Sequence, residues 1–249
     1  MMDHDFKGSV AIVTGASRGI GRAIALGLAR QGASIVGTAR KLDSSSGSGT
    51  LQDTIDSIHR SEGSCIAVPA DITDARGARA VVDGAMTAFG RVDMLVNNAG
   101  VLSLGTIAEF TPEHWQAAMA INITAPFLMT HTVLPIMMEQ GNGNILNVTS
   151  RAAQSYTAGG VANSTSKAAL NRFSLNLAEE VRPFGIVVNA WGPGLTRTDM
   201  TEFNPSGVEP EVVVESALWL LAQDVDSFTG QLVSRVDFGE TWGPATAAN

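Results

Sequence analysis

The stretch VAIVTGASRGIG, residues 10–21, decides the fold, because a short apolar run leads directly into three closely spaced glycines. Apolar runs of this length without an outward polar face are typical of strands in a parallel sheet that is covered on both sides. Gly15 can allow a turn, Gly19 lets backbone amides approach a phosphate, and Gly21 lets a following helix sit close to the sheet. The stretch therefore predicts a strand, a phosphate-binding loop and a helix, in that order.

Six further apolar runs alternate with helix-period segments along the chain, at 34–39, 65–70, 92–96, 144–149, 185–190 and 230–236. Strands that alternate with helices indicate a parallel sheet with helices on both faces. We therefore expect an α/β fold in which residues 1–249 form a single Rossmann-type, doubly wound domain with a seven-stranded parallel sheet. The polar, glycine-rich segment 44–50 is expected to be a mobile loop after the second strand.

The composition and net charge of the chain limit the classes of partner that we expect. Of the 249 residues, 45% are apolar and 16% charged, which is ordinary for a globular protein. A net charge of −8 argues against binding nucleic acid or an anionic membrane through a general positive field, so we expect a small-molecule partner. The start of the chain lacks a signal-peptide pattern and no apolar run approaches membrane-spanning length, so we expect the cytoplasm.

Metal and disulfide chemistry are not expected. Cys65 is the only cysteine, which excludes an intrachain disulfide, and we expect it to be buried in the core. No His/Asp/Glu grouping has a spacing typical of metal ligands.

Three motifs in order resemble the short-chain dehydrogenase/reductase family: TGASRGIG at 14–21, DIT at 71–73 and NNAG at 97–100. The resemblance covers Lys7 to about Val236 and implies a bound nicotinamide dinucleotide. It places Asp71 and Ile72 near the adenine and Asn97, Asn98, Ala99 and Gly100 along the ribose. It also implies cofactor contacts from Gly15, Ser17, Arg18, Gly19, Ile20 and Gly21 in the glycine loop, and from Lys167, Pro193, Gly194 and Thr198 around the nicotinamide.

Charge at the end of the second strand favours NADP(H) over NAD(H). An acid there would hydrogen-bond the ribose hydroxyls of NAD and repel the extra phosphate of NADP, but the expected position holds Ala39. Arg40 follows, and Arg18 sits inside the glycine loop, so two guanidinium groups could bind the 2′-phosphate. The segment 44–50 could lie over this adenosine end, or be a solvated surface loop.

Catalysis in the family uses an Asn, a Ser, a Tyr and a Lys, and three of the four have counterparts here. Asn122 matches the mid-helix asparagine, Ser150 the serine that hydrogen-bonds the substrate oxygen, and Lys167 the lysine that binds the nicotinamide ribose. The tyrosine position holds Asn163, thirteen residues after Ser150 and four before Lys167. A carboxamide does not titrate in this range, but it can donate a hydrogen bond to a carbonyl oxygen.

Three explanations of Asn163 are open from the sequence. The chain could be an NADP(H)-dependent oxidoreductase of a carbonyl or secondary alcohol, with Asn163 making a weaker bond than tyrosine. It could be a non-redox enzyme or cofactor-binding protein that uses Tyr156, the only tyrosine, or the substrate itself to move the proton. Asn163 could also be a substitution introduced to trap a complex. His114, His131 and Arg151 are weaker candidates for a role at the site.

Two further expectations concern the surroundings of the site. Only about ten residues separate Met200 from the next helix, where many relatives insert a helical lid, so we expect little lid. The family builds its subunit interface from two long helices, placed here at about 112–138 and 162–183. The first of these is apolar over more faces than one sheet contact needs, so we expect a homo-oligomer, a tetramer or a dimer.

Overall fold

The computed structural model describes residues 4–43, 49–156 and 158–244. Seven strands in this part of the chain form one sheet: β1 Val10–Thr14, β2 Ser34–Thr38, β3 Cys65–Ala67, β4 Met94–Asn97, β5 Gly143–Val148, β6 Ile186–Gly192 and β7 Leu232–Ser234. Their order is β3-β2-β1-β4-β5-β6-β7 and every pairing is parallel. The predicted seven-stranded, doubly wound parallel sheet is confirmed.

The helices are α1 Gly19–Arg30, α2 Leu51–Arg60, α3 Ala75–Phe89, α4 Pro112–Met119, α5 Ala125–Gln140, α6 Val161–Val181 and α7 Pro210–Leu221. A π-helical turn, Ala120–Thr124, joins α4 to α5, so the long helix predicted at about 112–138 is present with an irregular centre. The predicted helix at 162–183 corresponds to α6.

The sheet separates two apolar cores. Helices α1, α2 and α7 cover one face, and α3, α5 and α6 cover the other. Every residue of β1 and β6 is buried, because both faces of the central strands are covered. Chain order reverses between β1 and β4, and in such sheets ligands bind outside the carboxyl ends of the strands at this point. Cys65 is buried, as predicted.

The expectation that no apolar run approaches membrane-spanning length needs correction. The helical rod Pro112–Gln140 is long and apolar enough to cross a membrane, with a mean hydropathy of 1.3 over its most apolar window. Met129, Val133 and Met137 of this rod are fully buried against the sheet. These residues are one side of the rod, and a helix that packs on the core of a globular protein passes the same test of length and composition.

The segment between β6 and α7 is short, as predicted. A single 3₁₀ turn, Asp199–Thr201, precedes α7, which begins at Pro210. Arg197 pairs with Glu209 at 2.6 Å, and Thr196 bridges to Val208, so the segment closes on itself. Within the described residues it contains no helical lid over the carboxyl ends of the strands.

Candidate active site

The glycine loop is held by the strand ends on either side of it. Thr14 Oγ1 accepts hydrogen bonds from the backbone N–H groups of Asn98 at 2.9 Å and Ala99 at 3.0 Å, and donates to Val96 O at 3.1 Å. The Asn98 carboxamide donates to Thr14 O at 2.8 Å. The loop after β1 and the loop after β4 are therefore one hydrogen-bonded unit.

Glycine is required inside this unit. Gly15 has φ +67°, and a Cβ atom there would lie 2.9 Å from the Asn98 carboxamide nitrogen. Gly19 has φ +55°, and its Cβ would lie 3.0 Å from the Thr198 methyl group. Both the positive φ and the close neighbours exclude larger residues. A Cβ on Gly21 would overlap Gly15 O, so α1 packs tightly under the loop, as its spacing predicted.

The start of α1 fits an anionic ligand. Arg18 occupies the N-cap position in an extended conformation, and its side chain makes no capping bond. The first turn of α1 contains no acidic residue. Backbone N–H groups at such an end carry partial positive charge and bind phosphate groups. Ser17 and Ile20, the other two predicted contacts in the loop, are partly buried.

Arg40 lies two residues after the end of β2. Arg40 is exposed, and its charge helps to lower the pKa of Asp71, after the larger effect of the hydrogen bonds from Thr73. The Arg18 guanidinium lies 3.6 Å from the Asp199 carboxylate. Residues 44–48 of the predicted loop lie outside the described residues, but Gly49 packs against Ser17 O in the glycine loop.

Two of the predicted cofactor-binding residues, Asn97 and Ile72, have their side chains in the core. Asn97 is buried, and its Nδ2 donates to Asn147 Oδ1 at 2.8 Å and to Thr130 Oγ1 at 3.3 Å, on the face that α5 and α6 cover. Its side chain is therefore in the core, and Asn98, the next residue, points to the glycine loop, because side chains alternate along a strand. Ile72 is also buried, in the core beneath α3, so only its backbone could meet an adenine.

Lys167 lies at the carboxyl end of β5. Its Nζ donates to the Val148 backbone oxygen at 2.9 Å, and a Cβ on Gly100 would lie 3.6 Å from that nitrogen. The side chain as a whole is half-buried. Burial nevertheless lowers the pKa of Lys167 to about 8, because the ammonium group at its inner end loses hydration.

Asn122 lies in the π-helical turn and is fully buried. Its Oδ1 accepts from Val101 N at 2.9 Å, and its Nδ2 donates to Val101 O at 3.0 Å and to Ser166 Oγ at 3.1 Å. Ser166 Oγ in turn donates to the backbone oxygen of Asn163 at 2.9 Å. Asn122 thus joins the loop after β4 to the first turns of α6, which carry Asn163 and Lys167.

Asn163 faces the interior one helical turn before Lys167. Its side chain is 8% exposed. The carboxamide makes no hydrogen bond to any residue that the structure describes, and only its backbone oxygen is engaged. The carboxamide is therefore available to a ligand or to water.

Ser150 lies two residues after the end of β5, the strand whose Val148 oxygen accepts a hydrogen bond from Lys167 Nζ. Its Oγ accepts a hydrogen bond from Ala152 N at 3.1 Å, which leaves its O–H free to donate. The preceding residue, Thr149, bonds through Oγ1 to Asn171 Oδ1 at 2.7 Å and to Lys167 O at 3.4 Å. The structure therefore brings Ser150, Lys167, Asn163 and Asn122 to one place.

The weaker candidates lie on the surface. Tyr156 is fully exposed, in the loop before α6. His131 stacks on Phe127 at 5.7 Å on the exposed side of α5. His114 is exposed and lines a cavity of about 280 Å³ with residues of the loop after β4. Arg151 is exposed. In residues 4–43, 49–156 and 158–244, no group of three or more metal-ligating side chains occurs.

The Pro-Gly segment after β6 is fixed from the far end of the chain. Arg235 donates through Nε to Pro193 O at 3.1 Å and packs against Gly194, which has φ +78°. Thr198 is buried against Gly19, so this segment and the glycine loop are in contact. The indole N–H of Trp242 donates to the oxygen of Ser234, the residue before Arg235, at 2.8 Å.

Sequence reasoning missed three positioning residues. Thr14 had a visible signal, a hydroxyl directly before the first glycine of the loop. Ser166 is one residue before Lys167, but its bridge between Asn122 and α6 depends on the π-helical turn. Arg235 gave no local signal, because its contact with Pro193 spans 42 residues.

Comparison with known proteins agrees with this geometry. The profile of the short chain dehydrogenase family matches residues 9–208. The chain belongs to this family. A 3-oxoacyl-[acyl-carrier-protein] reductase from Synechocystis sp. is 37% identical over 193 residues, which are 78% of this chain and 76% of the relative. A 3-alpha-(or 20-beta)-hydroxysteroid dehydrogenase from Mycobacterium bovis is 32% identical over 248 residues, 96% of this chain and 91% of the relative.

A solved structure of another short-chain oxidoreductase, of metagenomic origin and in complex with NADP, has a TM-score of 0.80. It is 34% identical and the alignment covers 92% of this chain and 97% of that one. The short-chain dehydrogenase family is a family of NAD(P)-dependent oxidoreductases, and membership makes this chain one by descent.

Proposed function

We propose that the protein is an NADP(H)-dependent oxidoreductase that acts on a carbonyl or secondary alcohol of a small molecule with an altered catalytic tetrad. The observation that carries this proposal is that a nucleotide-binding type of loop and a cluster of polar side chains lie next to each other at one edge of the sheet. The glycine loop after β1 and the Ser150, Asn163 and Lys167 cluster after β5 lie on either side of the loop that contains Asn98 and Gly100.

The described residues fit a nicotinamide dinucleotide. Gly15 and Gly19 place no side chain on the loop backbone, and the Arg18 side chain at the N-cap of α1 makes no capping bond to the first amides. When bound, the dinucleotide exchanges a hydride with the substrate carbon. Lys167 and Thr198 would hold its nicotinamide half, and Asp71 and the backbone from Asn98 to Gly100 its adenosine half and ribose.

Charge favours NADP(H) as the cofactor. Ala39 offers no acid to the adenosine ribose, while Arg40 and Arg18 lie at the same end of the sheet. Guanidinium groups bind phosphate with charge-assisted, bidentate hydrogen bonds. The NADP complex of the metagenomic relative adds support by analogy.

Three polar side chains have different roles around the substrate carbonyl. The Ser150 hydroxyl donates to the substrate oxygen and orients it. The Asn163 carboxamide donates a second, weaker hydrogen bond in the place of a tyrosine hydroxyl. Asn122 holds the elements that carry these groups, because its own carboxamide is satisfied by Val101 and Ser166.

The substrate is an apolar small molecule in this proposal. Leu104 and Ile107, in the loop after β4, are each 65% exposed near the open edge of the sheet. This loop is tied to the loop before α6 by a hydrogen bond from Gly105 N to Gly159 O at 2.8 Å. The short segment after Thr198 leaves these apolar side chains uncovered. The named relatives reduce or oxidise 3-oxoacyl and steroid groups, which are apolar carbonyl compounds or their alcohols.

The test is NADPH oxidation, followed by absorbance, with a panel of ketones that includes a 3-oxoacyl thioester, a ketosteroid and a reactive diketone. We expect slow but substrate-dependent turnover. The same panel with NADH is the cofactor control. The alternative, a non-redox protein that uses Tyr156 as an acid, predicts no oxidation of either cofactor, and the full exposure of the Tyr156 side chain does not favour it.

We also propose a cytoplasmic homo-oligomer, a tetramer or a dimer, with no nucleic-acid or membrane partner. In the most apolar window of the 112–140 rod, only 39% of residues are buried within one chain. Phe127 on this rod is 47% exposed and Val161 on α6 is 41% exposed, so a second copy could cover both. Light scattering that gives a monomer mass would refute the oligomer.

A further inference from the structure

The catalytic cluster contains one group that titrates. Ser150 and Asn163 do not ionise in the physiological range, and the Asn122 carboxamide is fully engaged with Val101 and Ser166. Lys167 is the remaining member. In a site that lacks a phenol, the proton that a carbonyl reduction needs must come from this ammonium group or from solvent.

The surroundings of the Lys167 ammonium are neutral. The groups near it are Gly100, the Val148 carbonyl and the neutral Asn122 carboxamide, whose Oδ1 lies on the same side of Gly100 as Lys167 Nζ. The elements packed around α6 carry ionisable side chains, but all of those nearest the cluster are exposed to solvent: Glu113 and His114 on α4, Arg151 after β5, Tyr156 before α6, and Arg172 on α6 itself. Burial alone, without a charged neighbour, lowers the pKa of Lys167.

Asn163 provides a place for water between Lys167 and a substrate. It is four residues before Lys167, so the two side chains lie on the same side of α6. The residue is 8% exposed, and its carboxamide makes no hydrogen bond to the described residues. A carboxamide is shorter than a phenol by about the width of one water molecule, and it can both donate to and accept from that water.

We infer that Lys167 is the proton source of the reaction, and that a water molecule held by the Asn163 carboxamide carries the proton from Nζ to the substrate oxygen. This inference rests on the proposed carbonyl reduction. It assigns Lys167 a catalytic role in addition to binding the cofactor, and it makes Asn163 a water-binding residue.

The reduction brings one hydride and one proton to the carbonyl group. The carbonyl carbon gains a hydride from the reduced dinucleotide, and the electron pair of the C=O π bond moves to oxygen. That oxygen takes a proton from the water, the water takes one from the Lys167 ammonium, and the lysine is left as a neutral amine. The amine regains a proton from solvent before the next turnover. Alcohol oxidation runs the same transfers in reverse.

The first test is direct, because the chain contains only three lysines, Lys7, Lys41 and Lys167. With ¹³C-labelled lysine, NMR of the cofactor-free protein shows three ε-carbon signals, and Lys7→Arg and Lys41→Arg assign two of them. We expect the third to titrate near pH 8. Titration of Lys167 above pH 10 would overturn the inference without any measurement of activity.

The second test compares this titration with the pH dependence of ketone reduction. An acid acts in its protonated form, so the rate should be level below pH 8 and fall about tenfold per pH unit above it. Lys167→Arg keeps a positive charge and a donor for Val148 O but does not release a proton in this range. We expect at least a hundredfold loss of rate at saturating NADPH, a condition that separates proton transfer from any change in cofactor affinity.

The outcomes separate the inference from the proposed function. Turnover with a flat pH profile, or turnover retained in Lys167→Arg, overturns the role of Lys167 and leaves the oxidoreductase assignment standing. No oxidation of NADPH with any ketone, in the native protein and in Asn163→Tyr alike, overturns both. Lys7→Arg, at an exposed lysine, is the control for the chemical change and should keep the native rate and profile.

Discussion

The Arg18 guanidinium lies 3.6 Å from the Asp199 carboxylate, so the glycine loop and the segment after β6 meet through opposite charges at the start of α1. The side chains are 42% and 22% exposed, and a pair this exposed to water stabilises the fold by at most about 1 kcal/mol. A phosphate group on the cofactor would compete with this carboxylate for Arg18.

Asp199→Asn should therefore tighten NADPH binding about two- to fivefold and leave NADH binding within twofold, since removal of a weak competing charge has an effect of this size. Calorimetric titration of both cofactors measures it. Asp226→Asn, which removes an exposed acid after α7, is the matched control for net charge. Equal tightening in both variants would show a general field effect.

Arg40→Ala should weaken NADPH binding about tenfold to a hundredfold, because a hydrogen bond to a charged group contributes roughly 1.5 to 3 kcal/mol. NADH affinity should change little. Arg60→Ala, at the end of α2, removes the same charge from an exposed position away from the glycine loop and should have no effect. A native protein with equal affinity for the two cofactors would contradict this prediction.

Thr14→Val should lower the free energy of unfolding by about 1 to 3 kcal/mol, because it leaves the partly buried amides of Asn98 and Ala99 without this acceptor. Thr38→Val is a closely matched control: Thr38 is the register partner of Thr14, both are 1% exposed, and the Thr38 hydroxyl has no partner among the described residues. It should be neutral or slightly stabilising. Urea denaturation measures the free energy of unfolding of both variants. An equal decrease in the two would contradict the role given to Thr14.

Asn163→Tyr should raise ketone reduction by about two to four powers of ten, the contribution of a positioned general acid. Asn163→Phe adds the ring without the hydroxyl and should give no gain. In Asn163→Tyr the fall in rate with pH should no longer follow the titration of Lys167. Tyr156→Phe should keep the native rate, and its loss of activity would move the proton source to the loop before α6.

The sheet was predictable because its signal is local. Each of the seven strands overlaps an apolar run, and β1 coincides with residues 10–14. The glycine loop was predictable for the same reason, since strand, glycines and helix follow one another. Neighbouring residues of the same type can still have different roles, because side chains alternate along a strand. The Asn97 side chain lies in the core, whereas the Asn98 side chain holds the glycine loop.

Other parts of the site were not predictable because they depend on packing. The π-helical turn places the Asn122 side chain against Val101, and no periodicity in residues 112–140 indicates it. The exposure of Tyr156 depends on the path of a loop. The pairings of Arg18 with Asp199 and of Arg235 with Pro193 join distant segments, so their charges are visible in the sequence but their partners are not.

The bond between Thr14 and Asn98 spans 84 residues, and it also fixes the order in which the protein can assemble. Segments that are near in sequence, such as β1 and β2, can meet early, whereas closing so long a loop is entropically slow and waits for much of the sheet. The glycine loop is thus completed only when β4 docks beside β1. A nascent chain that has emerged as far as β3 has no finished nucleotide site, so dinucleotide present during synthesis or refolding should act after that docking step, by slowing unfolding rather than by speeding folding.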